Sequence, residues 1–155
     1  MSFMKKLLFY CVLIGGAMLL NTEARAQFRS LPAAVTDSFK ARYPNAQQVS
    51  WSDKFNAFQA NFMQDTSLYT ARFKATGEFQ WAAVKIAQTS LPAAVADGFS
   101  KSKYADPDWK VGSVIVRYLP GGVVQYTISI AKSGLQKKNL LFSSTGQLLK
   151  DDSTL

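Results

Sequence analysis

The sequence predicts an α+β fold: a tandem repeat in which a helix packs on a four-stranded antiparallel sheet. Three observations carry this. Ser30-Leu31-Pro32-Ala33-Ala34-Val35 returns as Ser90-Leu91-Pro92-Ala93-Ala94-Val95. Both copies continue with an apolar residue at every fourth position, the spacing of one helix face. The stretches that follow alternate apolar and polar residues, the period of a strand with one buried side, and turn residues separate them.

In chain order, the first segment reads as an export signal. Lys5-Lys6 forms a basic start, Leu7 to Leu20 an apolar run, and Ala24-Arg25-Ala26 a small-residue cleavage site. The run is 14 residues, short of the roughly 20 that span a bilayer, so cleavage after Ala26 and a mature chain without an integral membrane segment are expected. Cys11 lies inside the run, with too little apolar sequence before it for a lipidation site. The first unit is expected over 27–89 and the second over 90–155, the two packed as one compact domain.

Leu31, Val35, Phe39 and Tyr43 make the stripe of the first helix, and Leu91, Val95 and Phe99 that of the second. Pro32 and Pro92 suit a first helical turn, where a missing N–H would have had no intrahelical partner. Pro44 stops the first helix by pushing Tyr43 out of helical geometry. Phe58, Ala60 and Phe62, then Tyr69, Ala71 and Phe73, and later Val124, Tyr126, Ile128 and Ile130 define inward strand faces. Turns are expected at Asp53-Lys54, Asp65-Thr66-Ser67, Pro120-Gly121-Gly122 and Ser133-Gly134, and at Thr76-Gly77 and Thr145-Gly146, which close the two copies. Ala87-Gln88-Thr89-Ser90 is too short for a flexible tether, so the units should share an interface.

Composition narrows the chemistry. The chain has no histidine, and its single cysteine leaves with the signal. Disulfides, thiolate or imidazole metal sites, cysteine nucleophiles and histidine-dependent triads are therefore excluded from the mature protein. The close acidic pairs are Asp106/Asp108, read as solvated turn residues, and Asp151/Asp152, read as a soluble tail. Gly121-Gly122 lacks the Lys-Ser/Thr of a phosphate loop and reads as a hairpin. No catalytic residue, metal site or cofactor is expected, and the protein is read as a non-enzyme.

The whole chain carries +8, and losing Lys5, Lys6, Arg25 and Glu23 with the signal leaves +6. That balance favours acidic partners, although the cations are spread along the chain. Export argues against nucleic acid. Among the aromatics, Trp51 and Trp109 read as core residues. In Phe79-Gln80-Trp81-Ala82-Ala83-Val84-Lys85-Ile86 either Phe79/Trp81/Ala83 or Ala82/Val84/Ile86 can face inward, and the other set becomes an exposed apolar patch. Met63 and Arg72 should project from the polar face nearby. Met63, Arg72, Trp81 and the Gly121-Gly122 loop are thus the contact candidates for an unknown protein partner in the cell envelope. The alternative is an envelope binder of anionic lipid or glycan through the basic surface.

Leu31-Pro32-Ala33-Ala34-Val35, Tyr43-Pro44-Asn45-Ala46, Val49-Ser50-Trp51 and strands ending in Gly-x-Phe or Gly-x-Leu together resemble the PepSY-like family of secreted bacterial proteins, itself similar to beta-lactamase-inhibitor proteins. The resemblance spans nearly all of Ser30 to Asp152. It implies tandem helix-on-sheet units, a periplasmic or secreted location, and a non-enzymatic role in binding or inhibiting another protein, possible targets being hydrolases or peptidases, across the sheet face. The sequence departs from the pattern at Tyr104-Ala105-Asp106-Pro107, where Tyr-Pro is expected, and lacks the disulfides of the inhibitor scaffold.

Overall fold

The computed structural model describes residues 30–132 and 136–154. The export signal with its cleavage site, Cys11 and the Ser133-Gly134 turn lie outside the described residues. Helix α1 (Ala33–Arg42) precedes strands β1 (Gln47–Lys54), β2 (Ala57–Gln64), β3 (Ser67–Lys74) and β4 (Phe79–Ile86). A single 3-10 turn (Gln88–Ser90) leads to α2 (Ala93–Ser100), which precedes β5 (Lys110–Tyr118), β6 (Val124–Ala131), β7 (Lys137–Ser143) and β8 (Leu148–Thr154).

All eight strands form one antiparallel sheet in chain order, β1 to β8. This overturns the expected α+β tandem of helix-on-four-strand units, because the fold is mostly β and its sheet has no break at the middle. The reason is the seam: β4 and β5 hydrogen-bond to each other, with Ala82 opposite Tyr118, Val84 opposite Val116 and Ile86 opposite Val114. A strand that ends one four-stranded sheet would leave a row of unpaired N–H and C=O groups, and here pairing satisfies them. Two helices of 10 and 8 residues are also too short to form a layer comparable to the sheet.

The helices lie on one side of the sheet. Val35 and Phe39 of α1 are buried against Phe58, Phe62, Ala71 and Phe73, with Leu31 and Tyr43 at the margin. Phe39 meets Phe62 edge to face at 5.0 Å and Trp51 at 5.2 Å, the geometry favoured by ring quadrupoles. Val95 of α2 packs with Val114, Ile128, Ile130, Leu140 and Phe142, and Tyr104 closes that cluster beside Trp109. The periodic stripes therefore face the sheet, and Trp51 and Trp109 are half-buried and pack against the two cores.

Several details differ from the sequence expectation. Pro32 and Pro92 stand just before the first helical residue, in extended geometry, and their carbonyls accept from the amides three and four residues on. The β1–β2 turn falls on Phe55-Asn56 rather than Asp53-Lys54, since Lys54 still pairs with Ala57. Asp151 and Asp152 are not a tail: they belong to β8, opposite Leu140 and Asn139.

Candidate functional site

No element of the described chain covers the sheet face opposite the helices. Inward strand positions are filled by the two cores, so alternation turns Gln59, Asn61, Met63, Leu68, Thr70, Arg72, Ile115, Arg117, Thr127 and Leu141 outward. Asn61 organises part of this face, its Oδ1 accepting from the Thr70 hydroxyl at 2.9 Å and from Gln59 Nε2 at 3.5 Å. Its cations include Arg72, Lys85, Arg117, Lys137 and Lys150, and Asp152 on the same face is paired with Lys150 at 2.8 Å.

Trp81 joins this face through a bulge. Arg72 pairs with Trp81 but Phe73 pairs with Phe79, so Gln80 is an extra residue on β4. The insertion changes the side-chain parity. Phe79 turns inward onto Phe73 while Trp81 and Ala83 turn outward, and Ala82 and Val84 are buried. Of the two alternating sets read from the sequence, Ala82/Val84/Ile86 is the inward one, while the bulge splits Phe79 from Trp81 and Ala83.

Ser52, Gln59, Arg72 and Trp81 form one cross-strand row. The Arg117 guanidinium lies 5.1 Å from the Trp81 ring centre, within cation–π range. Arg72 Nη2 donates to the Lys54 carbonyl at 3.4 Å, while Arg72 Nε and Ser52 Oγ are buried without a hydrogen-bond partner among the described residues. Buried polar atoms of this kind are uncommon in native folds, and both fall on the row that ends at Trp81.

Phe55 stands at the β1–β2 tip, at the same end of the sheet as this row, and is 94% exposed. Its φ is 58°, and the Asn56 amide donates to the Lys54 carbonyl, which makes a tight three-residue turn centred on a bulky side chain. Such a position normally belongs to glycine, so the ring is held out in water at a conformational cost. Sequence reasoning missed Phe55 because the turn was placed two residues early. An aromatic between Lys54 and Asn56 was the available signal.

The five sequence candidates do not form one site. Arg72 and Trp81 are neighbours. Met63 shares their face but sits in the row of Leu68, four residues along β3 from Arg72, or about 13 Å at the rise of a strand. Gly121 and Gly122 form the β5–β6 turn with φ 75° and 76°, and they rim a pocket on the helix side, with Arg42, Tyr43, Tyr69, Phe79 and Tyr118.

The acids of the two close pairs are engaged in structure. Asp108 pairs with Lys132 at 2.8 Å, Asp106 accepts the Asp108 amide, and Asp151 accepts the Tyr104 hydroxyl. Lys132 holds the Asp108 carboxyl below its usual range, and the Tyr104 hydroxyl, helped by Lys138 and Lys103, does the same for Asp151. Among the described residues no cluster of three or more metal-ligating side chains occurs, and no helix is long and apolar enough to cross a membrane.

The chain matches no family model and no curated protein. Solved structures do resemble it. A BLIP-like protein from Bacteroides fragilis is 26% identical, with a TM-score of 0.72 over 79% of this chain and 86% of that one. A DUF2874 family protein from Bacteroides ovatus is 25% identical, with a TM-score of 0.73 over the same shares, 79% and 86%. A candidate periplasmic protein from Bacteroides eggerthii, 23% identical with a TM-score of 0.70 over 79% of this chain and 88% of that one, shares the fold. The neighbours support a BLIP-like fold and do not bear on the PepSY-like resemblance.

Proposed function

We propose that this chain is a non-enzymatic periplasmic or secreted binding module of the inhibitor-like kind, which engages an acidic protein surface across its uncovered sheet face. The observation that carries the reading is the row ending at Trp81, an outward ring flanked by Arg72 and Arg117. Tryptophan and arginine dominate binding energy where they can be desolvated together. The excess of cations on the face fits an acidic partner. Phe55 extends the surface at its rim with a ring that has no role in the core. The likeness to a BLIP-like protein and the export signal read from the first 26 residues agree with this reading.

The test is affinity capture from periplasmic extract with immobilised wild type, Trp81→Asp, Arg72→Glu and Phe55→Gly. A partner held by wild type should fall about tenfold or more with Trp81→Asp and Arg72→Glu. Phe55→Gly should also weaken capture while raising stability by about 1 kcal/mol, because glycine tolerates the positive φ; loss of binding then cannot be blamed on unfolding. Partners retained equally by all four proteins, or none retained by wild type, would sink the proposal.

A further inference from the structure

The helix side of the sheet carries a pocket of about 410 Å³, within the range of small-molecule sites. It lies between the C-terminal end of α1 and the β5–β6 turn. Its walls bring together Arg42, Tyr43, Tyr69, Phe79 and Tyr118 from the helix end and three strands.

Four features of these walls narrow what fits. The Arg42 guanidinium stacks on the Phe79 ring at 3.9 Å, and no carboxylate pairs with it among the described residues. Among the described residues the lining contains no acid. The phenol oxygens of Tyr43, Tyr69 and Tyr118 make no hydrogen bond among the described residues, and a phenol hydroxyl can both donate and accept; burial raises the Tyr43 and Tyr118 phenols above their ordinary pKa. The contrast with Tyr104 is direct: the tyrosine following α2 is 3% exposed and its hydroxyl is consumed by Asp151. Tyr43, which follows α1, ends at the pocket, its hydroxyl without a hydrogen-bond partner among the described residues.

We propose that this pocket binds an acidic sugar, a hexuronate whose carboxylate meets Arg42 and whose ring hydroxyls meet the phenols of Tyr43, Tyr69 and Tyr118. A guanidinium seated on a ring, with no carboxylate partner among the described residues, favours an oxyanion such as a carboxylate. An aryl or acyl acid would satisfy Arg42 but desolvate three phenols without giving them partners, which costs binding free energy. A sugar ring presents hydroxyls at its edge and C–H groups on its faces, matching walls that alternate hydroxyl and aromatic surface. The turn at Gly121-Gly122 forms the rim and adds no side chain that would narrow the mouth. The site is on the side away from Trp81, so the inference stands apart from the sheet-face reading.

The test is calorimetric titration of the purified protein with D-galacturonate and D-glucuronate, with galacturonate methyl ester, galactose and benzoate as comparisons. At least one uronate should bind saturably. Its methyl ester, which removes the charge and leaves the protein untouched, should bind about tenfold more weakly, as should the uronate to Arg42→Gln. Tyr118→Phe should weaken binding by a few fold, and Lys101→Gln, which removes a remote exposed cation, should leave it unchanged. A trigalacturonate that binds more tightly than the monomer would identify a glycan as the source, and equal affinity a free sugar acid. Absence of saturation by both uronates, benzoate binding as tightly as the uronate, or an Arg42→Gln protein that binds like wild type would each overturn the assignment.

Discussion

Tyr104 shows how a single side chain can tie the second half of the molecule together. Its ring is buried in the α2 core, Lys103 and Lys138 lie over its faces at 5.1 and 5.8 Å, and its hydroxyl donates to Asp151 of the last strand. That bond is the main reason the Asp151 carboxyl titrates below its ordinary value. A carboxyl depressed on folding contributes stability that is present above its unfolded pKa of about 4 and is lost as pH falls through the folded value. Acid should therefore weaken the wild type more steeply below pH ~4 than Tyr104→Phe, whose Asp151 returns toward ordinary titration. Urea midpoints at stepped pH measure this; parallel acid limbs for the two proteins would count against it. Asp108, lowered by Lys132, adds to the acid limb of both proteins equally.

Among the elements, the hairpin turns decide how closely the helices approach. Gly77 and Gly146 have φ of 85° and 84°, and a Cβ at either would overlap a backbone carbonyl of the helix above, that of Ala34 or Ala94. Conformation and space both demand glycine there. At Gly121 the φ is 75° but a Cβ would meet nothing within 4 Å. Gly77→Ala and Gly146→Ala should each cost roughly 2–4 kcal/mol, whereas Gly121→Ala should cost about 1 kcal/mol, the strain of a left-handed residue alone. Urea denaturation of the three variants gives the order directly, and equal losses would show that helix contact is unimportant. Thr76-Gly77 and Thr145-Gly146 were legible as turns because glycine marks positive φ. Their second role, admitting the helix backbone, has no signature in the sequence. The Gln80 bulge was likewise hidden, since strand periodicity assumes that every residue is paired, and so the side taken by Trp81 could not be read.

For the whole molecule the seam between β4 and β5 is the governing feature. It joins a Phe-rich core under α1 to an aliphatic core under α2 through Val84, Val114 and Val116, all buried. One continuous sheet should unfold in a single transition, with tryptophan fluorescence and far-ultraviolet circular dichroism coincident, because Trp51 and Trp109 report on opposite halves. Val84→Asp should lower that transition as a unit, by roughly 3 kcal/mol or more, since it buries an unpaired charge at the seam. Two resolved transitions in wild type would mean that the halves are stable separately. The amino-acid sequence by itself determined the helix stripes, the inward strand faces, the packing of Trp51 and Trp109 against the cores, and the absence of histidine and cysteine chemistry from residues 27–155, because periodicity and composition are local properties. Only the tertiary structure decided that the strands fuse into one sheet, that Trp81 and Arg72 share a bare face while Gly121 and Gly122 rim a pocket behind it, and that Asp151 belongs to an edge strand. Those outcomes depend on which strand edges pair and where one extra residue shifts the register, and pairing between distant segments leaves no periodic trace in the chain.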